Sequence, residues 1–354
     1  MNDTAKRAAV ATLVIGSVVV LALAFWKIRL LVALIFFAFI IAAAMRPGIE
    51  ALRRRGIPRG FGIAAHYLAF FAFIAAILWL VVPNATEQVS NALGDLPSSS
   101  EELEERASQS TGVRREILEG VQQRLEELPS ASELVDPALE LGFLGFEILI
   151  GLFFVFASAA YWIFERQRAM DLVTSLIPRP RRKKVRDTWD LIDLKLGAYV
   201  RGQALLIVIV GTVLSGVFWA IGLPYWVLIG VFAGIVEIVP VIGPITAGAV
   251  AVGVGLTVSW QLALAAGLTV LIVRLLEDYI IIPRVLGEAV GLSPLLVLFS
   301  ITSVALLFGE FAVLLAIPLA AVLATLVDVI VRGKDPAEGD VPAVIFSARD
   351  SETG

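Results

Sequence analysis

The hardest constraint on this chain is a series of apolar runs too long to be buried side by side in a water-soluble core. Residues 8–26, 28–45, 61–82, 142–164 and 202–222 are almost free of charge, and a hydrocarbon layer of about 30 Å needs roughly 20 such residues to be crossed as helix. A mean hydropathy of +0.89, with 58% hydrophobic and 17% charged residues, leaves too little polar surface to clothe a globule. The fold class expected is an all-α polytopic membrane protein. The first run follows Lys6 and Arg7 as a signal peptide would. It is longer than the usual apolar region of about 7–15 residues and lacks a small-residue cleavage site before Trp26, so it reads as an uncleaved anchor.

Composition removes several kinds of chemistry. The chain has no Cys and one His, so a thiolate site, a disulfide framework and a multi-His metal site are all excluded. No phosphate-binding loop of the Walker type is present, and no Ser/His or metal pair is set across the spans. No cofactor and no enzyme activity are expected, and any transport must draw on an ion gradient or a partner.

Charge then orients the chain. The segment 83–141 carries 13 acidic residues against four Arg, while Arg46, Arg53, Arg54, Arg55 and Arg59, and later Arg179, Arg181, Arg182, Lys183, Lys184 and Arg186, gather in other loops. The positive-inside rule puts both basic loops and both termini in the cytoplasm of the inner (plasma) membrane, and the acidic segment outside. Val113, Ile117, Val121, Leu125 and Leu128 recur at helical spacing in the acidic segment, a face suited to the body of the protein or a sister subunit of a homo-oligomer. Val185, Trp189, Ile192, Leu196 and Tyr199 repeat likewise behind the second basic run. That pattern predicts a helix at the inner leaflet, with anionic lipids along 179–186 and no role for nucleic acid.

The C-terminal half is interrupted. The run 223–239 stops at Pro240, Gly243 and Pro244 before 245–259 resumes, and each arm is short for a full crossing. A helix over 261–282 ends at Pro283 and Arg284. A second broken pair follows, 292–308 and 311–327, parted by Gly309 and Glu310 with Pro318 inside the second arm. Span plus hairpin thus occurs twice, the pattern of an inverted repeat with re-entrant hairpins, although a plain bundle of full spans fits the same runs.

Charged residues inside these runs are the candidate coupling groups. Glu237 lies three residues before Pro240, where helix bonding fails, and a carboxylate at membrane depth is costly unless it is paired, protonated or solvated. Arg274, Glu277 and Asp278 stand at i, i+3 and i+4, on one helix face, and can neutralise one another. Glu310 at the second interruption echoes Glu237 at the first. His66 reads as a polar residue satisfied between helices.

The stretch from Gly222 to Gly248, GLPYWVLIGVFAGIVEIVPVIGPITAG, resembles the autoinducer-2 exporter (AI-2E) family, as do LEDYIIIPRVLGEAVGLSPLLVLFS from Leu276 and LFGEFAVLLAIPLAAVL from Leu307. The resemblance implies about eight membrane segments and a permease working without a nucleotide domain. It further implies export of an autoinducer-2-like small solute, or sodium (lithium)/proton antiport. A membrane scaffold acting through the acidic segment is the reading from another class, and broken helices holding buried charge argue against it. The division expected is a three-span region 1–82, the external segment 83–141, a fourth span with its basic amphipathic helix 142–200, a transport core 201–331 and a disordered cytoplasmic tail 332–354.

Overall fold

A computed structural model describes residues 2–93, 135–239, 242–285 and 293–339, together with 341 and 344. Every regular element among the described residues is helical. In chain order these are α1 Asn2–Lys27, α2 Arg29–Arg54, α3 Arg59–Leu93, α4 Val135–Ser175, α5 Arg179–Ala220, α6 Trp226–Val236, α7 Ile242–Leu256 and α8 Trp260–Leu276. There follow a π turn Glu277–Ile281, α9 Ile282–Val285, α10 Pro294–Phe308, a 3₁₀ turn Glu310–Leu315, α11 Ala316–Ile330 and a last 3₁₀ turn Pro336–Glu338.

Among the described residues, Arg29–Arg54, Arg59–Asn84, Gly145–Ser175, Arg179–Ala220 and Ala312–Ile330 are long and apolar enough to cross a membrane, and shorter apolar helices accompany them. Leu13, Leu68, Trp79, Phe153 and Trp219 are exposed on these helices. Such surfaces suit a lipid solvent, and a helix satisfies its own backbone there. The chain is a polytopic helical membrane protein.

Three expectations about element limits change. The helix that holds the third span does not stop with the apolar run at Val82, because α3 carries Pro83 inside it and runs 35 residues. The amphipathic stretch 185–199 and the fifth span were expected as separate helices, yet they form the single 42-residue α5. Pro180 sits in its first turn, where a missing N–H leaves no bond unmade, and no other proline occurs before Pro224. The tail expected to be disordered from Arg332 is held over its first residues: Arg332 and Lys334 each reach Asp328 at 2.9 Å, and Pro336 and Val344 are buried. The amphipathic pattern from Val113 to Leu128 lies outside the described residues.

The helices gather into two compact units, each assembled from separate parts of the chain. The first combines Met1–Pro47, Gly151–Val200 and Glu288–Gly354; the second combines Gly48–Ile150 and Arg201–Gly287. The stretch 201–331 is therefore shared between them, with the first broken pair in the second unit and the second broken pair in the first. In the first unit Ile40, Leu196, Ile301 and Ala316 share one core and Ala38, Val155 and Ala159 another.

In the second unit Leu214, Phe218, Ile229, Ala247 and Ala266 bring α5, α6, α7 and α8 around one core. Backbones run close there. A Cβ on Gly234 would stand 2.6 Å from the carbonyl oxygen of Ile207, the small-residue contact by which helices pack without a hydrophobic drive between them.

Candidate functional site

The first broken pair builds the site in the second unit. α6 has 11 residues and α7 has 15, so they rise about 16 and 22 Å, both short of a 30 Å core. α6 ends in tightened turns, with Ile238 N–H donating to Ile235 and Val239 N–H to Val236 at 3.2 and 3.0 Å. Pro240 lies outside the described residues. The chain resumes at once: Gly243 N–H donates to the Val239 carbonyl at 2.9 Å. Gly243 itself abuts the Val236 carbonyl so closely that a Cβ would collide with backbone. Pro244 falls in the first turn of α7, where proline is tolerated.

Glu237 caps α6, and its side chain is only 6% exposed. The buried Gln203 side chain on α5 donates to the Glu237 carbonyl oxygen at 3.0 Å, satisfying a backbone acceptor that the broken helix leaves open. The Glu237 carboxylate turns to α8. Arg274 Nη1 donates to Glu237 Oε1 at 2.9 Å and to Glu277 Oε2 at 3.3 Å, while Nη2 reaches Asp278 Oδ1 at 2.9 Å. Glu277 is 3% exposed, Arg274 26% and Asp278 41%, so the cluster grades from buried to open.

Where α8 ends, the helix widens. Ile282 N–H donates to the Glu277 carbonyl, five residues back, and Glu277–Ile281 forms a π turn. Pro283 follows with no N–H to offer and a ring that crowds the preceding turn, a cause for the irregularity. The structure thus brings together Glu237, Arg274, Glu277 and Asp278, with Gly243, Pro244 and Pro283 shaping the backbone around them.

Gly309 and Glu310 belong to the first unit. Gly309 has φ 94°, a left-handed value that favours glycine, and Glu310 opens the 3₁₀ turn. Sequence reasoning missed a second charged group in the first unit. Arg166 Nε meets Asp193 Oδ2 at 2.5 Å and its Nη2 meets Asp190 Oδ1, while Arg46 Nη1 lies 3.4 Å from Asp193. Asp190 and Asp193 stand at i and i+3 on α5, the one signal that spacing offered. His66, on α3, is held through Nδ1 at 2.7 Å from the Gly62 carbonyl. Among the described residues no group of His, Cys, Asp or Glu is arranged to hold a metal ion.

A charged cluster inside apolar, interrupted helices marks the class of membrane transport proteins. The profile described as AI-2E family transporter matches residues 15–332, and the chain belongs to that family. Among its relatives, YrrI of Bacillus subtilis (strain 168) is 25% identical over 84% of this chain and 86% of its own length. MT0215 of Mycobacterium tuberculosis (strain CDC 1551 / Oshkosh) is 26% identical over 88% and 86%. PerM of Escherichia coli (strain K12) is 24% identical over 83% and 85%. Their names are provisional, assigning YrrI and MT0215 to transport and PerM to permeation. The chain is a membrane transporter of this family.

Proposed function

We propose that the chain is a secondary transporter that exports a small solute on an ion gradient, with Glu237, Arg274, Glu277 and Asp278 as its coupling group. One observation carries the reading: a single guanidinium is shared by three carboxylates at the end of a broken helix. Charge within an apolar bundle is costly unless matched. Three acids against one Arg leave the group open to a proton, and loading one would change which carboxylates Arg274 holds. Arms too short to span support a re-entrant pathway at this point. An autoinducer-2-like solute is the family's eponymous cargo. Sodium (lithium)/proton antiport is the second reading, favoured by the same surplus of acids.

The test is flux from proteoliposomes under imposed proton and sodium gradients with a panel of solutes. Glu237→Gln keeps shape and removes the titratable charge, so gradient-driven flux is lost while the protein stays folded. Normal coupled flux from a stable Glu237→Gln protein removes this residue from the mechanism. Orientation in the inner membrane follows from labelling, because the chain has no Cys. Ser99→Cys and Ser130→Cys react with an impermeant reagent added outside intact cells, whereas Thr188→Cys and Ser351→Cys do not.

A further inference from the structure

We infer that the first unit holds one anionic phospholipid, its headgroup on Arg181 and Lys184 and an acyl chain in the cavity beneath them. A cavity of 1040 Å³ is walled by α2, α4, α5 and α11, at the upper end of the roughly 300–1,000 Å³ usual for ligand pockets. α5 contributes Arg181, Lys184, Val185, Thr188, Trp189 and Ile192, a stripe at i, i+3, i+4, i+7, i+8 and i+11 on one helix face. Cations thus stand at one end of the stripe, and the part beyond them continues for about 10 Å of helix from Val185 to Ile192. Trp189 stacks on Trp162 at 6.0 Å, and Phe39 meets Trp162 edge-on at 5.1 Å, giving the cavity an aromatic wall.

Charge decides the occupant. Among the described residues, Arg181 and Lys184 are the only charged ones that line the cavity. Two neighbouring basic side chains are already engaged, Arg182 donating to the carbonyls of Ile177 and Ser175 at 2.8 and 3.2 Å and Arg186 reaching Asp171 at 3.0 Å, while Arg179 and Lys183 lie off the cavity stripe. The Arg181 and Lys184 side chains have no hydrogen-bond or ion-pair partner among the described residues. Two unmatched cations over an apolar, aromatic space fit a ligand with an anionic head and a hydrocarbon tail. A free phosphate would leave the apolar walls unfilled, and a neutral lipid would leave the cations unmatched. The inference rests on the basic run 179–186 facing the inner leaflet, and it adds a defined site to what would otherwise be diffuse attraction.

The experiment titrates the purified full chain, in neutral detergent, with dioleoyl phosphatidylglycerol, dioleoyl phosphatidylcholine or glycerol phosphate, and follows the thermal unfolding midpoint. Phosphatidylglycerol raises it and the other two do not. The double variant Arg181→Gln/Lys184→Gln shifts the phosphatidylglycerol titration about 25-fold, from roughly fivefold per cation. The variant Arg179→Gln/Lys183→Gln, off the stripe, shifts it less than twofold. Ser158→Phe, which fills the cavity and keeps the cations, abolishes the response; Val185→Phe serves if that variant does not fold. Equal shifts in the two double variants would overturn the defined site and leave only the surface attraction. Equal responses to phosphatidylcholine or to glycerol phosphate would overturn it as well.

Discussion

The two units each bury a cluster of Arg and carboxylates, and the clusters differ in balance and in backbone. In the first unit two Arg face two Asp, all on the continuous helices α2, α4 and α5. In the second, one Arg faces three acids where one helix breaks at Glu237 and another widens into a π turn at Glu277. A matched group on unbroken helices has no surplus charge to neutralise, which suits a clamp. An unmatched group on irregular backbone can take up or release charge without dismantling a helix. Buried charge alone is therefore a poor sign of function, and stoichiometry together with backbone regularity separates the two cases.

Substitutions that break the contrast follow from this, largest effect first. Arg166→Ala takes the nearer of two Arg from Asp193, which is 4% exposed, and leaves Arg46 at 3.4 Å. It should cost about 3 kcal/mol of stability in detergent melts, the lower end for a broken buried pair, while the protein that remains folded transports at the normal rate. Gly234→Val drives a side chain into the backbone of α5 and should cost about 1–3 kcal/mol, the range for overpacking, measured in the same melts. Glu237→Gln should move stability by less than about 1 kcal/mol, because a neutral amide still accepts from Arg274. Its flux should lose all dependence on the imposed gradient. Asp278→Asn, at the 41% exposed edge, should change stability by about 0–1 kcal/mol and flux by a small factor. A clamp-like result at Glu237, with stability lost and coupling kept, would erase the distinction between the units.

The apolar runs and the two interruptions were legible in the sequence because lipid imposes length and composition directly. So was the helical face that joins Arg274, Glu277 and Asp278. Sequence reading let those three neutralise one another and left Glu237 apart. The fold joins it to Arg274 across 37 residues, a pairing that spacing within one helix cannot express. The same holds for Gln203 beneath the Glu237 carbonyl, 34 residues away, and for Arg46 with Asp193, 147 apart. The continuity of α5 escaped notice because a change from polar to apolar pattern resembles a boundary, though only proline or a cap ends a helix.

The π turn has a consequence for registry along α8 and α9. One turn that closes on the fifth residue instead of the fourth adds a residue to the winding, and each residue of an α-helix advances about 100°. Past Glu277 the helix is therefore out of phase with α8, and the face that carries Arg274 and Glu277 is continued one position later than an ideal wheel would place it. Removing one residue between Asp278 and Ile281 would let the turn close on the fourth residue and leave Pro283 and Arg284 on their present face, so this short window absorbs a deletion that elsewhere in α8 would rotate everything beyond it through about 100°.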